Sequence, residues 1–220
     1  MQENENVTQK FDFISDLDEY FCENYENYDK LCVIKGYRMP KMQDTERRAD
    51  GSLYSYTLPA KTMCLAKQEK RAEILKILKT QITDKSFSFS FEPAGFIEKL
   101  KKNFKYSFKR ILSETLRKCA VSEEELGKEL SIDQTTWKNI CAGNYLPTKN
   151  LIFSIALTAR VSYEDACMLL ATREMEFDYT LEREVVIAYL LKQKVYNAEM
   201  IKAAFNEYSV SNLFITWLND

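Results

Sequence analysis

The chain has no histidine among its 220 residues, and that one absence removes several chemistries together. Ser-His-Asp triads, Cys-His dyads, HExxH metal sites and Cys/His zinc fingers all need an imidazole. Glycine is nearly as scarce, at five residues, and neither GxGxxG nor GxxxxGK[ST] occurs. Loops that cradle phosphates are thereby excluded. The six cysteines, Cys22, Cys32, Cys64, Cys119, Cys141 and Cys167, include no CxxC pair. Free, mostly buried thiols in a reducing cytoplasm are the simplest account of them. No apolar run reaches the length of a membrane span. The start, MQENENVTQK, is polar and acidic, unlike a signal peptide. Net charge is −2 and the pI is near 5.6, so the chain lacks the global basic excess of many DNA-binding domains. Carboxylates are plentiful, but no pair stands out as an acid–base couple. The expectation is a cytoplasmic protein with no catalytic residue, no cofactor and no metal. An enzyme using Lys, Tyr or carboxylates, housed in the N-terminal half, is a third class of reading.

What is present divides the chain into three regions. Residues 1–95 read as a small α+β domain with an acidic N-terminal helix. In that helix, over about 11–24, Phe11, Ile14, Leu17, Tyr20 and Phe21 recur at helical spacing. It either packs on its own domain or serves as an acidic arm for a protein partner. Leu31–Met39 reads as a strand, the stretch around Arg47–Gly51 as a polar turn, and Ser52–Thr57 as a second strand. A helix follows over about 60–83 behind Pro59. Lys85–Phe91 alternates Phe with Ser, a third strand whose aromatic face suits a core or a base-stacking platform. Residues 96–110 form a basic linker or helix lead-in. Lys99, Lys101, Lys102, Lys105, Lys109 and Arg110 interleave there with aromatics, and no acid intervenes. The stretch is either the solvated face of a helix or a phosphate-contacting stripe.

The third region, 111–220, holds the most informative pattern: SEEELGKELSIDQTTWKNICAGNYLP over residues 122–147. Leu126 and Leu130 share a face of one short helix, and Gly127 is small enough to admit a second helix closely. Asp133 is placed to cap that second helix. Trp137, Ile140 and Cys141 turn inward, while Gln134, Thr135, Lys138 and Asn139 turn outward. Gly143 ends the helix and Pro147 delays the next. Two short helices joined by a tight turn, with a polar face on the second, make a helix-turn-helix.

Residues 111–170 resemble the five-helix domain of the Cro/C1 repressor and Xre family. The family's TQEEL appears as Ser122-Glu123-Glu124-Glu125-Leu126, its small position as Gly127, and its exit as Gly143 and Pro147. Helix-turn-helix periodicity and caps predict helices near 107–118, 122–130, 133–142, 148–159 and 162–174, with Trp137 buried at their centre. The tail, EVVIAYLLKQKVYNAEMIKAAF, resembles the end of a helical C-terminal module found behind varied N-terminal domains in Gram-positive gut bacteria. That module resembles a Cro/C1-type domain with two added helices. Its Ser-Lys-Ile-Arg is Lys138-Asn139-Ile140-Cys141 here, and its Ala-Gly-Tyr is Ala171-Thr172-Arg173. The implied fold is an α+β N-terminal unit followed by an all-α five-helix Cro/C1-like helix-turn-helix with added C-terminal helices, mainly α overall.

The implied function is a non-enzymatic regulator of transcription, a mobile element or a defence pathway, acting on double-stranded DNA. Gln134, Thr135, Lys138 and Asn139 correspond to base-reading positions. Lys101, Lys102, Lys105, Lys109, Arg110 and Lys149 would hold phosphates. From residue 111 onward, however, eleven basic residues face sixteen acidic ones, and Glu123 stands where the family often offers Gln to a phosphate. The alternative is a protein–protein interaction module using the same helices, its partner held by the acidic N-terminal segment or the helical tail. The apolar tail residues Phe214, Ile215, Trp217 and Leu218 must also be covered, by folding back or by a homodimer.

Overall fold

A computed structural model describes residues 2–28, 43–48, 51–57, 75–76, 78–80, 82, 90–96, 107–211 and 213–219. Over these the chain is mainly helical, with one small two-stranded antiparallel sheet. Helix α1 spans Gln2–Asn24, and strands β1 (Gln43–Arg47) and β2 (Leu53–Thr57) form a hairpin. Eight helices follow: α2 (Phe108–Lys118), α3 (Glu123–Glu129), α4 (Gln134–Cys141), α5 (Lys149–Thr158), α6 (Tyr163–Ala171), α7 (Glu182–Lys192), α8 (Ala198–Glu207) and α9 (Thr216–Asn219). Each of α2 to α6 lies inside its expected range. Among the described residues no strand falls between 107 and 208, although Tyr145 makes an isolated bridge to Pro93.

The side chains that open these helices explain their positions. Ser122 and Glu125 form a reciprocal capping box on α3: the Ser122 hydroxyl accepts the Glu125 N–H at 3.1 Å, and Glu125 Oε2 accepts the Ser122 N–H at 3.1 Å. Asp133 accepts the Thr136 N–H at 2.9 Å to open α4. Thr148, Ser162 and Asn197 do the same for α5, α6 and α8. The helix ends use a different device. Ala120, Arg160, Glu174, Lys194 and Ser209 all take left-handed φ near +50°. In each case the next residue (Val121, Val161, Met175, Val195 or Val210) returns its N–H to the carbonyl five residues earlier. These are Schellman ends closed by an apolar residue, built without glycine.

In the N-terminal region the structure departs from expectation. The all-polar segment Gln43–Arg47 is a strand, paired from Gln43↔Thr57 to Arg47↔Leu53. It has no apolar alternation to announce it; its partner strand and the turn define it. Gly51, at φ +84°, lets the chain reverse while Arg48 N–H bonds Ser52 O at 2.9 Å. Residues 75–76 and 78–80 are helical, within the helix expected over 60–83. The rest of that helix, the strand expected at Leu31–Met39 and most of Lys85–Phe91 lie outside the described residues.

One hydrophobic cluster runs from α1 through the helical body. Phe13, Leu17 and Phe21, four apart, form the buried stripe of α1, which packs on α7 and α8. Phe21 packs tilted against Tyr208 with ring centroids 4.6 Å apart, and Tyr20 against Tyr189 at 5.3 Å. Polar groups hold the same contact. Asp18 accepts from Tyr208 at 2.6 Å and pairs with Lys79, which also pairs with Glu207. Lys192 donates to the hydroxyls of Tyr20 at 3.0 Å and Tyr179 at 3.1 Å, with the Tyr163 ring 4.7 Å from its ammonium. The acidic helix is therefore docked on the C-terminal helices. The closing segment folds back within the chain. Leu213, Phe214 and Ile215 are buried, Phe214 N–H bonds Ser154 Oγ at 2.9 Å, and Thr216 Oγ1 donates to Glu129 O at 2.9 Å.

Helices α3 and α4 approach closely at Gly127. A β-carbon on Gly127 would stand 2.5 Å from Trp137 Cδ1 and 2.6 Å from Nε1. The indole is buried and its Nε1–H donates to Glu123 O at 2.9 Å, so it has little freedom to withdraw. Gly127→Ala gains up to about 1 kcal/mol of helix propensity but overpacks a fixed contact at a cost of about 1–3 kcal/mol. The expected net result is a loss of about 1–2 kcal/mol in urea unfolding. A more stable variant would show that the indole yields.

Candidate nucleic-acid interface

Helix α4 presents a polar surface in the helical body. Trp137, Ile140 and Cys141 are buried, which forces the intervening residues outward at helical spacing. Gln134, Thr135 and Lys138 are exposed on it. Asn139 is half-buried and already engaged: its Nδ2 donates to Thr135 O at 3.1 Å and its Oδ1 accepts from Asn144 Nδ2 at 3.0 Å. The Asn139 carbonyl also accepts the Asn144 N–H at 2.8 Å. Both halves of the amide that would face an adenine edge thus close the end of α4 instead.

Both ends of α4 are held by segments distant in sequence. Its opening turn is tied to the tail by Ser131 N–H to Phe214 O at 3.4 Å. Its exit is tied to residues 92–94, through Ala94 N–H to Asn144 O at 2.7 Å and Leu146 N–H to Glu92 O at 2.8 Å. The rings of Phe91 and Phe214, 5.4 Å apart, join these two restraints. α4 is consequently a rigid platform for whatever it meets.

The expected phosphate contacts divide into three groups. Lys109 and Arg110 are exposed on the first turn of α2. Lys101, Lys102 and Lys105 lie outside the described residues. Lys149 is turned inward: its ammonium lies 2.7 Å from Glu184 Oε2, a carboxylate whose side chain is only 4% exposed. The same oxygen accepts the Asp178 N–H at 2.7 Å. Lys149 thus neutralises a buried acid between α5 and α7, a role that sequence reasoning missed. The available signal was its neighbourhood: Glu184 opens the unbroken apolar run Val185–Leu191, which makes α7 apolar on every side and so central to the core.

The electrostatic surroundings are mixed. Glu123, Glu124 and Glu125 are exposed on the first turn of α3, the turn to which Trp137 bonds. Hydrogen bonds from the Ser122 backbone and hydroxyl hold Glu125 below the usual carboxylate range, so it stays charged. Bonds from Thr136 do the same for Asp133. Burial pushes the Cys141 thiol up to about 12, which leaves it a protonated core group. Among the described residues no group of His, Cys, Asp or Glu could hold a metal ion, and no helix is long and apolar enough to cross a membrane. No protein family, curated protein or solved structure matches the chain.

Burial raises the pKa of Glu184, while Lys149 and the Asp178 N–H pull it down. With the folded value above the unfolded one, the carboxyl favours folding at low pH, and that contribution is lost as pH rises through the folded value. Removing the ammonium deepens the loss at neutral pH. Lys149→Met should therefore destabilise by about 3 kcal/mol near neutrality, and the deficit should shrink on acidification as Glu184 takes up a proton. Urea titrations at several pH values test this; a pH-independent deficit would rule out the uncompensated carboxylate as its cause.

Proposed function

We propose that the chain is a non-enzymatic regulatory protein in which α3 and α4 form a Cro/C1-type helix-turn-helix that meets double-stranded DNA through α4. The observation that carries this reading is the α4 surface itself. Two separately capped helices, stapled by Trp137 across Gly127, present Gln134, Thr135 and Lys138 on a platform restrained at both ends. The amide of Gln134 can bond adenine N6 and N7 together, and Lys138 can reach guanine O6 and N7. Lys109 and Arg110 supply phosphate contacts. Asn139 and Lys149 leave the contacting set and become positioning groups, one at the end of α4 and one beneath α5. The resemblance of the tail to a C-terminal helical module accords with a regulatory or tethering role.

A second reading, in which the same surface binds protein, is favoured by a specific observation. The three exposed carboxylates on the first turn of α3 lie beside α4, where a phosphate would otherwise approach. A basic partner surface would suit them better than a duplex.

Fluorescence anisotropy with a randomised duplex library at low salt separates the two readings. Under the DNA reading, Gln134→Ala relaxes preference at one base pair by about 1–3 kcal/mol. Lys109→Ala weakens all sequences alike and flattens the salt dependence. Absence of any duplex binding at low salt would transfer the assignment to the protein-binding reading.

A further inference from the structure

The hairpin is the least explained part of the described structure. A two-stranded hairpin by itself is marginally stable in water, and this one stays largely exposed, with the Arg48 guanidinium 4.4 Å from the Tyr54 ring centroid on one face. From residue 51 to 57 only Tyr56 is as much as half-buried, and Leu53 and Tyr54 are 73% and 47% exposed. The two strands differ in how their edges are protected. β1 carries Asp44, Glu46 and Arg47, the charges that keep an open edge from pairing. β2, Leu-Tyr-Ser-Tyr-Thr, has no charge and no proline.

The hydrogen-bond parity says which backbone groups of β2 are open. Arg48 N–H bonds Ser52 O, so these two residues face each other as a hydrogen-bonded pair. Alternation along an antiparallel ladder makes Glu46/Tyr54 and Asp44/Tyr56 such pairs as well. The N–H and C=O groups of Leu53, Ser55 and Thr57 therefore point away from β1. Among the described residues nothing pairs with that edge.

We propose that β2 is a contact between two copies of this chain, paired antiparallel about a two-fold axis through Ser55. The segment is self-complementary in that register. Leu53 meets Thr57 of the second copy, Tyr54 meets Tyr56, and Ser55 meets its own equivalent. The outward groups of 53, 55 and 57 then bond one another, which is the parity the hairpin imposes. Tyr54 and Tyr56 already stack on one face, with ring centroids 6.1 Å apart. Two-fold pairing extends them into a strip of four rings, with Tyr54 and the second copy's Tyr56 in the closer, non-hydrogen-bonded class of pair. No like charges come face to face, because β2 has none. A second copy is the natural occupant, because β2, unlike β1, carries no charge that would repel its own image across the axis. The contact is small beside a standard protein interface, so the dimer is concentration-dependent. It holds whether α4 meets DNA or protein.

Sedimentation of the full chain across a concentration series tests the pairing. The mass should rise from the monomer's 25.8 kDa towards twice that value. Ser55→Lys puts two ammonium groups on the axis and should hold the chain monomeric over the same range, with an unchanged circular dichroism spectrum because Ser55 is exposed. Ser55→Cys should form a covalent dimer under mild oxidation, since the residues on the axis stand at a Cα separation that suits a disulfide. Leu53→Cys, which faces Thr57 and not itself, should not exceed the wild-type background of cross-linking. A wild-type chain that stays monomeric throughout, a Ser55→Lys variant that still dimerises, or Leu53→Cys cross-linking as readily as Ser55→Cys would each overturn the proposal.

Discussion

The indole of Trp137 fills the space that a β-carbon of residue 127 would need, and the geometry of α4 depends on that contact. Apolar area alone would bring α3 and α4 together in many rotations. The indole selects one, because its ring lies on the Gly127 backbone while its N–H is fixed to Glu123 O, one turn earlier on α3. Two contacts a helical turn apart define a line, so neither sliding nor rotation of α4 keeps both. The price is tolerance: no side chain larger than hydrogen fits at position 127 without movement of a buried ring.

Around that contact the structure uses distant segments as restraints. The tail buries Phe214 and returns its carbonyl to Ser131 in the α3–α4 turn. Residues 92–94 bond the chain as it leaves α4. α1 lies across α7 and α8, joined by Tyr208 to Asp18 and by Lys192 to Tyr20. An apolar C-terminus and an amphipathic acidic helix, each able to serve as an association surface, are in this way covered by the chain's own helices. Among the described residues, α4 keeps an open polar surface and β2 an open uncharged edge.

The starts of the helices were legible in the sequence because capping is local. Ser122 with Glu125, Asp133, Thr148 and Ser162 each satisfy backbone groups within three residues, so the pattern and the geometry coincide. The ends were less legible: left-handed Ala120, Arg160, Glu174, Lys194 and Ser209 carry no glycine to announce them. The burial of Leu17 and Phe21 could be read from period, but the surface that receives them could not, since a stripe records that a face is covered and not by what. Asn139 and Lys149 mark the same limit at the candidate site. Both are polar residues at plausible contact positions, and their partners decide their role. Asn144 lies five residues on and Glu184 thirty-five, beyond the reach of helical spacing.

The charge balance of the helical region also reads differently once partners are known. Eleven bases against sixteen acids suggests a surface that repels DNA throughout. Yet Lys149 and Glu184 cancel in the interior, Lys118 and Asp165 pair at 2.8 Å, and Lys192 is held among tyrosines. Charges fixed in this way contribute little to the field outside. Lys109, Arg110, Arg117, Lys128 and Lys138 carry no ion pair among the described residues and belong to α2, α3 and α4. Against them stand Glu123, Glu124, Glu125 and Glu129 on α3. Few phosphates can then be neutralised by one copy, and since the phosphate term supplies most non-specific affinity, a single copy would bind DNA weakly. If α3 and α4 act as the proposed helix-turn-helix, a second copy would add a second set of these bases, which is how such folds gain affinity.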